Sequence, residues 1–209
     1  MTGKITDRQA HWQQVYKTRG AEAVSWFRPR LDVSLELLER AGLTPATSLI
    51  DVGGGASTLV DELLELGLRD ITVLDISAEA LAVSRQRLAA RANRVEWLAA
   101  DVLAARLPAG AFDVWHDRAV SHFLTEDADV ARYARRAASA IRPGGHAVIG
   151  GFAPDGPERC SGLPVARRSA EDIAAMLGPD FELLDERREC HLTPGGTEQL
   201  FAYALLRRS

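Results

Sequence analysis

From residue 48 onward, short apolar segments alternate with amphipathic helical patterns, and this alternation allows few architectures. Each apolar segment has the length of a buried strand, and the segment after it has the period of a helix. Strands alternating with helices form βαβ units, in which a parallel sheet is covered by helices on both faces. The predicted strands of this region span residues 48–52, 71–75, 95–99, 112–116 and 146–150.

The last part of the chain follows a different pattern. Residues 181–189 and 199–206 are two further predicted strands, and the turn sequence 193–196 (Thr-Pro-Gly-Gly) joins them as an antiparallel hairpin. We therefore predict an α/β fold with a doubly wound, Rossmann-like sheet of seven strands, mostly parallel with a C-terminal antiparallel hairpin. A chain of 209 residues that is 46% hydrophobic suits a single domain. Residues 1–42 form its predicted helical lid region and residues 43–209 its core.

Charge and cysteine content exclude several functional classes. The formal net charge of −4 lacks the basic excess that would attract nucleic acid. No apolar run reaches membrane-spanning length, and the N-terminus leads into a polar segment, so we expect no membrane partner and a cytoplasmic location. Cys160 and Cys190 form neither a disulfide framework nor a zinc motif. We therefore predict free thiols and no metal site.

Ligands of such sheets bind beyond the carboxyl ends of the strands, and three carboxylates stand there. Asp51 and the glycines 53–55 follow the first strand, and the glycines allow a sharp turn and close approach of a ligand. Asp75, after the second strand, is placed to accept hydrogen bonds from two ribose hydroxyls. Asp101, between Ala100 and Val102, offers one acceptor and an apolar slot for an adenine edge.

The glycine loop separates two classes of cofactor. A dinucleotide site requires a third glycine where this chain has Thr58. A carboxylate at Asp51 would also lie unfavourably beside a pyrophosphate, whereas it suits the ammonium of a methionine moiety near a sulfonium. The loop therefore favours S-adenosylmethionine over NAD, and an NAD oxidoreductase is the weakest alternative.

These segments resemble the motifs of the class I S-adenosylmethionine-dependent methyltransferases, and the resemblance covers about residues 48–206. Residues 49–55 are similar to the first motif, 74–77 to the ribose motif, 100–102 to the adenine motif and 112–118 to the fourth motif. Ser57 stands where many members have glycine, and its hydroxyl could donate to the methionine carboxylate. The opening segments 11–16 and 24–27 and the loop 160–164 resemble those of a group of small bacterial members. The cofactor-binding residues that the resemblance implies are Trp26, Asp51, Gly53, Gly54, Gly55, Ser57, Asp75, Ile76, Asp101, Val102 and Asp117.

The catalytic candidates follow the fourth strand. Asp117 and His122 could act as a base on a neutral acceptor, although a cap role for Asp117 and plain packing for His122 remain alternatives. His116 lies within the strand and is expected to be buried. The aromatic N-terminal segment, the linker 152–169 and the hairpin tip near His191 should lie over the site.

The expected function is methyl transfer by in-line displacement to a small-molecule acceptor, with S-adenosylhomocysteine as the product. Little chain remains beyond the core to build a docking domain for a macromolecule. Two alternatives stay open. One is a protein lysine methyltransferase, since some are equally small and share an aromatic N-terminal segment. The other is a non-catalytic S-adenosylmethionine-binding protein.

Overall fold

The computed structural model describes residues 3–209, with side chains from residue 8 onward. The main sheet contains β1 (Ser48–Val52), β2 (Asp70–Asp75), β3 (Glu96–Ala99), β4 (Phe112–Arg118), β5 (Ile141–Phe152), β8 (Phe181–Leu192) and β9 (Glu198–Arg208). A short hairpin of β6 (Arg159–Cys160) and β7 (Leu163–Pro164) lies apart from it. The strand order of the main sheet is β3-β2-β1-β4-β5-β9-β8. β9 is antiparallel to both neighbours and the other pairs are parallel, which confirms the predicted fold class.

The helices cover both faces of this sheet. They are α1 (Gly3–Thr18), α2 (Asp32–Arg40), α3 (Leu59–Glu65), α4 (Ala78–Leu88), α5 (Asp127–Ala140) and α6 (Ala170–Leu177). On one face, Leu49 of β1 and Val114 of β4 share a core with α2, α3 and α4. On the other face, Ile50 and Trp115 share a core with α5 and α6. Alternate residues of each strand therefore feed two separate cores, as expected for a doubly wound sheet.

Two regions differ from the sequence prediction. β5 begins at Ile141, five residues early, because residues 142–145 bulge between the pairs Phe112↔Ile141 and Val114↔His146. The sequence Arg-Pro-Gly-Gly of that bulge carries the expected turn. α6 was not predicted, although Ser169 and Asp172 form a capping box at its start and Ile173 is buried. It follows directly on the linker 152–169, which contains the β6–β7 hairpin.

The strand order reverses between β1 and β4, and this position creates the site. β2 and β3 extend the sheet on one side of β1, while β4 and β5 extend it on the other, so a crevice opens beyond their carboxyl ends. α1 lies over this edge, where the Gln9 amide donates to the Ile76 carbonyl at 3.3 Å. Within the part of the chain that the structure describes, no helix is both long and apolar enough to cross a bilayer.

Candidate cofactor and acceptor site

Two adjoining cavities open at the carboxyl ends of β1, β2 and β4. The larger encloses about 820 Å³ of space, part of it open to solvent, and the smaller about 490 Å³. Trp26, Gly53 and Arg118 line both. The larger is also lined by the predicted residues Asp75, Ile76, Asp101 and Val102, and the smaller by Asp51, Gly54 and Ser57. Three other predicted residues, Gly55, Asp117 and His122, line neither cavity.

The glycine loop is tight because two carboxylates pack against it. A Cβ on Gly54 would lie 2.3 Å from Asp51 Oδ2, and one on Gly55 would lie 2.5 Å from Asp75 Oδ2. Gly53 has φ +73°, in the left-handed region that favours glycine, and a Cβ there would meet a methyl of Val120 at 2.0 Å. The loop can therefore approach a ligand with its backbone only while all three positions remain glycine.

Helix α4 holds the far side of this loop. The Ser84 hydroxyl donates to the Gly55 carbonyl at 2.7 Å, and the Arg87 guanidinium donates to the carbonyls of Ala56 and Ser57. The Ser57 hydroxyl accepts from the Leu59 amide at 3.2 Å and keeps its own proton to donate to a ligand. These contacts leave the inner face of the loop open to the cavity.

Asp75 and Asp101 present carboxylate oxygens at the ends of β2 and β3. Asp75 Oδ1 accepts from the Ser77 amide at 2.7 Å, and Asp101 Oδ1 accepts from the Leu103 amide at 2.8 Å. Asp101 Oδ2 is buried without a protein partner, so it can accept from an amino group in the cavity. Burial raises the pKa of Asp75 to about 7. The hydrogen bond from Ser77 lowers this pKa, and the nearby charge of Asp51 raises it further.

Asp51 belongs to a buried chain of polar side chains that the sequence analysis did not identify. Its Oδ1 lies 2.7 Å from His116 Nδ1, and His116 Nε2 lies 2.9 Å from the Ser34 hydroxyl on α2. Asp51 Oδ2 is buried without a partner and faces the loop at Gly54. His116 is buried as predicted, and it leaves one Asp51 oxygen available to a cationic ligand.

Asp117 is held as a turn cap. Its carboxylate accepts hydrogen bonds from the Val120 amide at 2.8 Å, the Ser121 amide at 3.0 Å and the Tyr133 hydroxyl. The side chain is fully buried, and both oxygens point into the fold rather than into either cavity. Burial raises the pKa of Asp117, and these hydrogen bonds oppose the shift. This geometry favours the cap alternative over contact with a ligand.

His122 is a buried neutral imidazole. Burial, aided by the positive charges of Arg118 and Arg168, lowers its pKa to about 3. Its Nδ1 accepts from the Phe152 amide at 3.4 Å, which places the ring hydrogen on Nε2. A ring with this tautomer and this pKa is a poor acceptor for a substrate proton, so the geometry favours packing over base catalysis.

An aromatic cluster forms the roof of the larger cavity. Trp12 of α1 packs edge-to-face against Trp26 and Phe123, with ring centroids 5.5 and 5.0 Å apart. The Trp26 indole donates to the Tyr16 hydroxyl at 3.3 Å, and burial raises the pKa of Tyr16. Edge-to-face contacts of this kind add to the stability from apolar burial. They hold the N-terminal segment over the strand ends.

The N-terminal segment is also held by a polar cluster of Arg28, Arg118, Glu189 and Tyr203. The Arg118 guanidinium donates to the Trp26 carbonyl at 2.9 Å, and Arg28 donates to the Glu189 carboxylate. The sequence analysis did not identify Glu189. Glu189 pairs with Phe201 across the strands, and Phe201 lies two residues before Tyr203. This register alone would have placed Glu189 and Tyr203 on the same face of the sheet.

The remaining polar candidates do not gather at one point. Cys160 is buried in the β6–β7 hairpin and lines the larger cavity, whereas Cys190 is exposed, and both are free thiols. The His191 ring donates from Nε2 to the Ser25 carbonyl at 2.7 Å. Among the side chains described from residue 8 onward, no three of His, Cys, Asp or Glu are grouped as metal ligands.

Comparison with known protein sequences gives a family match and a relative. Residues 49–145 match the family described as a methyltransferase domain. Over 108 residues the chain is 28% identical to the eEF1A lysine and N-terminal methyltransferase of Bos taurus. That match covers 52% of this chain but only 15% of the relative, so the chain spans a small part of the relative's length.

Two solved structures share the whole fold. One comes from work on the conversion of a disulfide bond into a thioacetal group during echinomycin biosynthesis, with a TM-score of 0.79 at 21% identity, over 97% of this chain and 92% of that one. The other is the 1,6-didemethyltoxoflavin-N1-methyltransferase of Burkholderia thailandensis with bound 1,6-didemethyltoxoflavin and S-adenosylhomocysteine. Its TM-score is 0.72 at 22% identity, over 98% of this chain and 87% of that one.

Proposed function

We propose that the chain is a class I S-adenosylmethionine-dependent methyltransferase that methylates a small-molecule acceptor by in-line displacement, on the premise that residues 49–145 match a methyltransferase domain. The match of residues 49–145 to a methyltransferase domain bears out the prediction of a methyltransferase. S-adenosylmethionine as its cofactor is supported by the fold shared with a structure that holds S-adenosylhomocysteine. The acceptor class and the roles of individual residues are proposals.

The chain's polar groups suit the cofactor from end to end. Asp101 Oδ2 would accept from the adenine amino group, Asp75 from the ribose hydroxyls, and Asp51 Oδ2 would face the methionine ammonium. Two of these three oxygens, on Asp101 and Asp51, are buried without a protein partner, and such groups normally find one. When bound, the cofactor supplies a methyl group activated by a sulfonium.

The roof is the observation that carries the small-molecule proposal. Trp12, Trp26 and Phe123 close over the strand ends, and Cys160 adds a wall from the β6–β7 hairpin. We infer that the described part of the predicted lid region, residues 3–42, excludes water and limits the size of the acceptor. The fold shared with the toxoflavin enzyme includes this region, since 98% of the chain superimposes, and that enzyme binds a small molecule.

The geometry supports catalysis by orientation. Asp117 is engaged by three protein donors and His122 is neutral with its hydrogen on Nε2, so neither is placed to remove a proton. Orientation of two reactants can by itself lower a barrier by roughly 7–11 kcal/mol. The residues of the site would therefore bind and align an acceptor that is already nucleophilic and exclude water around it.

Two alternatives each rest on one observation. A protein lysine methyltransferase is favoured by the 28% identity with the eEF1A lysine and N-terminal methyltransferase. A non-catalytic S-adenosylmethionine-binding protein is favoured by the engagement of Asp117 and the low pKa of His122.

Incubation of the protein with a cell lysate and methyl-labelled S-adenosylmethionine distinguishes these readings. We expect label in the low-molecular-weight extract, together with release of S-adenosylhomocysteine, and loss of both with Asp75→Ala. Label on a protein band would contradict the small-molecule proposal. Cofactor binding without any release of S-adenosylhomocysteine would instead support the non-catalytic reading.

A further inference from the structure

Arg118 occupies the junction between the two cavities. It is the last residue of β4, and it lines both the larger and the smaller cavity. Its side chain is only 7% exposed. An arginine buried to this degree normally has its charge neutralised and its nitrogens hydrogen-bonded.

Protein contacts fix this guanidinium without using all of it. Nε donates to the Tyr203 hydroxyl at 2.9 Å and Nη1 to the Trp26 carbonyl at 2.9 Å, while the group lies 4.6 Å from the centre of the Phe201 ring. Nη2 is buried and has no hydrogen-bond acceptor. The group is thus rigidly held, with one nitrogen left for a partner outside the protein.

The positive charge of Arg118 is also incompletely compensated. The carboxylate nearest to it belongs to Glu189, whose Oε1 accepts from Arg28 and whose Oε2 accepts from the Tyr203 hydroxyl at 2.6 Å. Arg118 Nη2 stays 3.7 Å from Oε2, beyond hydrogen-bond distance. Asp32, 3.9 Å from Arg28, is 63% exposed, where water screens its charge. The buried Arg118 and the partly exposed Arg28 therefore share one buried carboxylate.

We propose that Arg118 binds an anionic group, such as a carboxylate, of a molecule held in these cavities. The inference rests on the proposed function, because that function brings two molecules to this junction. The anion can belong to the acceptor or to the methionine moiety of the cofactor. In both cases the planar guanidinium offers Nη2 in a dry environment, where a charge-assisted bond is strong.

Calorimetry with two cofactor fragments tests the cofactor as the source. S-adenosylhomocysteine carries the carboxylate and 5′-methylthioadenosine lacks it. If Arg118 holds this group, Arg118→Met should lower the affinity for S-adenosylhomocysteine by about tenfold or more and leave the affinity for 5′-methylthioadenosine unchanged. Arg118→Lys should restore part of the affinity. Unchanged binding of 5′-methylthioadenosine also shows that the variant is folded. Arg142→Met, which removes an exposed arginine paired with Asp113, is the matched control and should change neither affinity.

Nitrogen NMR of labelled arginine tests the acceptor as the source. The protein is saturated with S-adenosylhomocysteine and titrated with acetate, malonate, benzoate and inorganic phosphate, with benzamide as the neutral control. We expect the Arg118 Nε signal, identified by its loss in Arg118→Lys, to shift with an anion and not with benzamide. An unchanged affinity for S-adenosylhomocysteine in Arg118→Met together with no anion-dependent shift would overturn the proposal. Failure of the wild-type protein to bind either cofactor fragment would instead contradict the cofactor site. In that case the anion titration, repeated without a cofactor, would test anion binding by Arg118 separately.

Discussion

The two halves of the site differ in the distance along the chain over which their side chains are held. In the cofactor half, Asp75 and Asp101 each accept a bond from an amide two residues later. In the roof half, Arg118 holds Trp26 across 92 residues, and His191 holds Ser25 across 166. The cofactor half is therefore built from local motifs, whereas the roof exists only when the N-terminus, β4 and the C-terminal hairpin have assembled. A locally built half can recognise one constant cofactor, while the assembled half can vary with the acceptor.

Asp117 lies between the halves, and its replacement should have the largest effect. Asp117→Ala leaves the Val120 and Ser121 amides and the Tyr133 hydroxyl without their acceptor, which should lower the free energy of unfolding by about 3 kcal/mol. Denaturant unfolding measures this loss. Tyr133→Phe removes one of the three bonds and should cost about 1 kcal/mol. Unchanged stability with loss of methyl transfer would place Asp117 in the chemistry after all.

Gly54→Ala should damage the cofactor half without disturbing the roof. The new Cβ would lie 2.3 Å from Asp51 Oδ2, and relief of such a clash costs about 1–3 kcal/mol. We therefore expect the affinity for S-adenosylhomocysteine to fall by roughly 10- to 100-fold in calorimetry. Gly20→Ala is the control, since no atom lies within 4 Å of its Cβ position. Equal affinities in the two variants would show that the ligand does not depend on this loop.

The pKa of Asp75 should make cofactor binding depend on pH. Ribose hydroxyls donate best to the ionised carboxylate, and with a pKa of about 7 that form is largely lost between pH 8 and pH 6. The affinity for S-adenosylhomocysteine should then fall about tenfold over this interval, and Asp75→Asn should bind weakly with no such dependence. A flat wild-type profile would argue against Asp75 as the ribose ligand.

The same group affects the unliganded fold in the opposite direction. The folded pKa of about 7 lies above the ordinary value of 3.8, so the folded chain holds this proton more tightly than the unfolded chain. Its contribution to stability is present below the ordinary pKa and is lost as the pH rises to about 7. Melting temperatures of the wild type and Asp75→Asn should therefore diverge across this range.

The contrast between local and distant contacts also explains what the sequence could predict. The strands and the cofactor residues were predictable because a hydrophobic segment, its glycine turn and its carboxylate are adjacent in the chain. Eight of the predicted cofactor residues beyond Trp26 line the cavities, namely Asp51, Gly53, Gly54, Ser57, Asp75, Ile76, Asp101 and Val102. Each lies at the end of a strand or in the loop that follows it.

The rest depended on tertiary contacts that no local pattern contains. The sequence reads Asp117 and His122 as polar residues after a strand, but their partners, Tyr133 and Phe152, lie on other elements. Ser34 and Glu189 belong to segments with ordinary helix and strand patterns, and only the sheet brings them to His116 and Arg28. The identity of a base or an anion-binding residue therefore required the assembled fold.

The central claim is that the glycine loop and the three carboxylates form a site for S-adenosylmethionine and not for a dinucleotide. Calorimetric titration of the wild-type protein with S-adenosylhomocysteine and with NAD, under identical conditions, tests it most directly. We predict saturable binding of S-adenosylhomocysteine that is weakened in Gly54→Ala, and no binding of NAD. Binding of NAD without binding of S-adenosylhomocysteine would contradict the account.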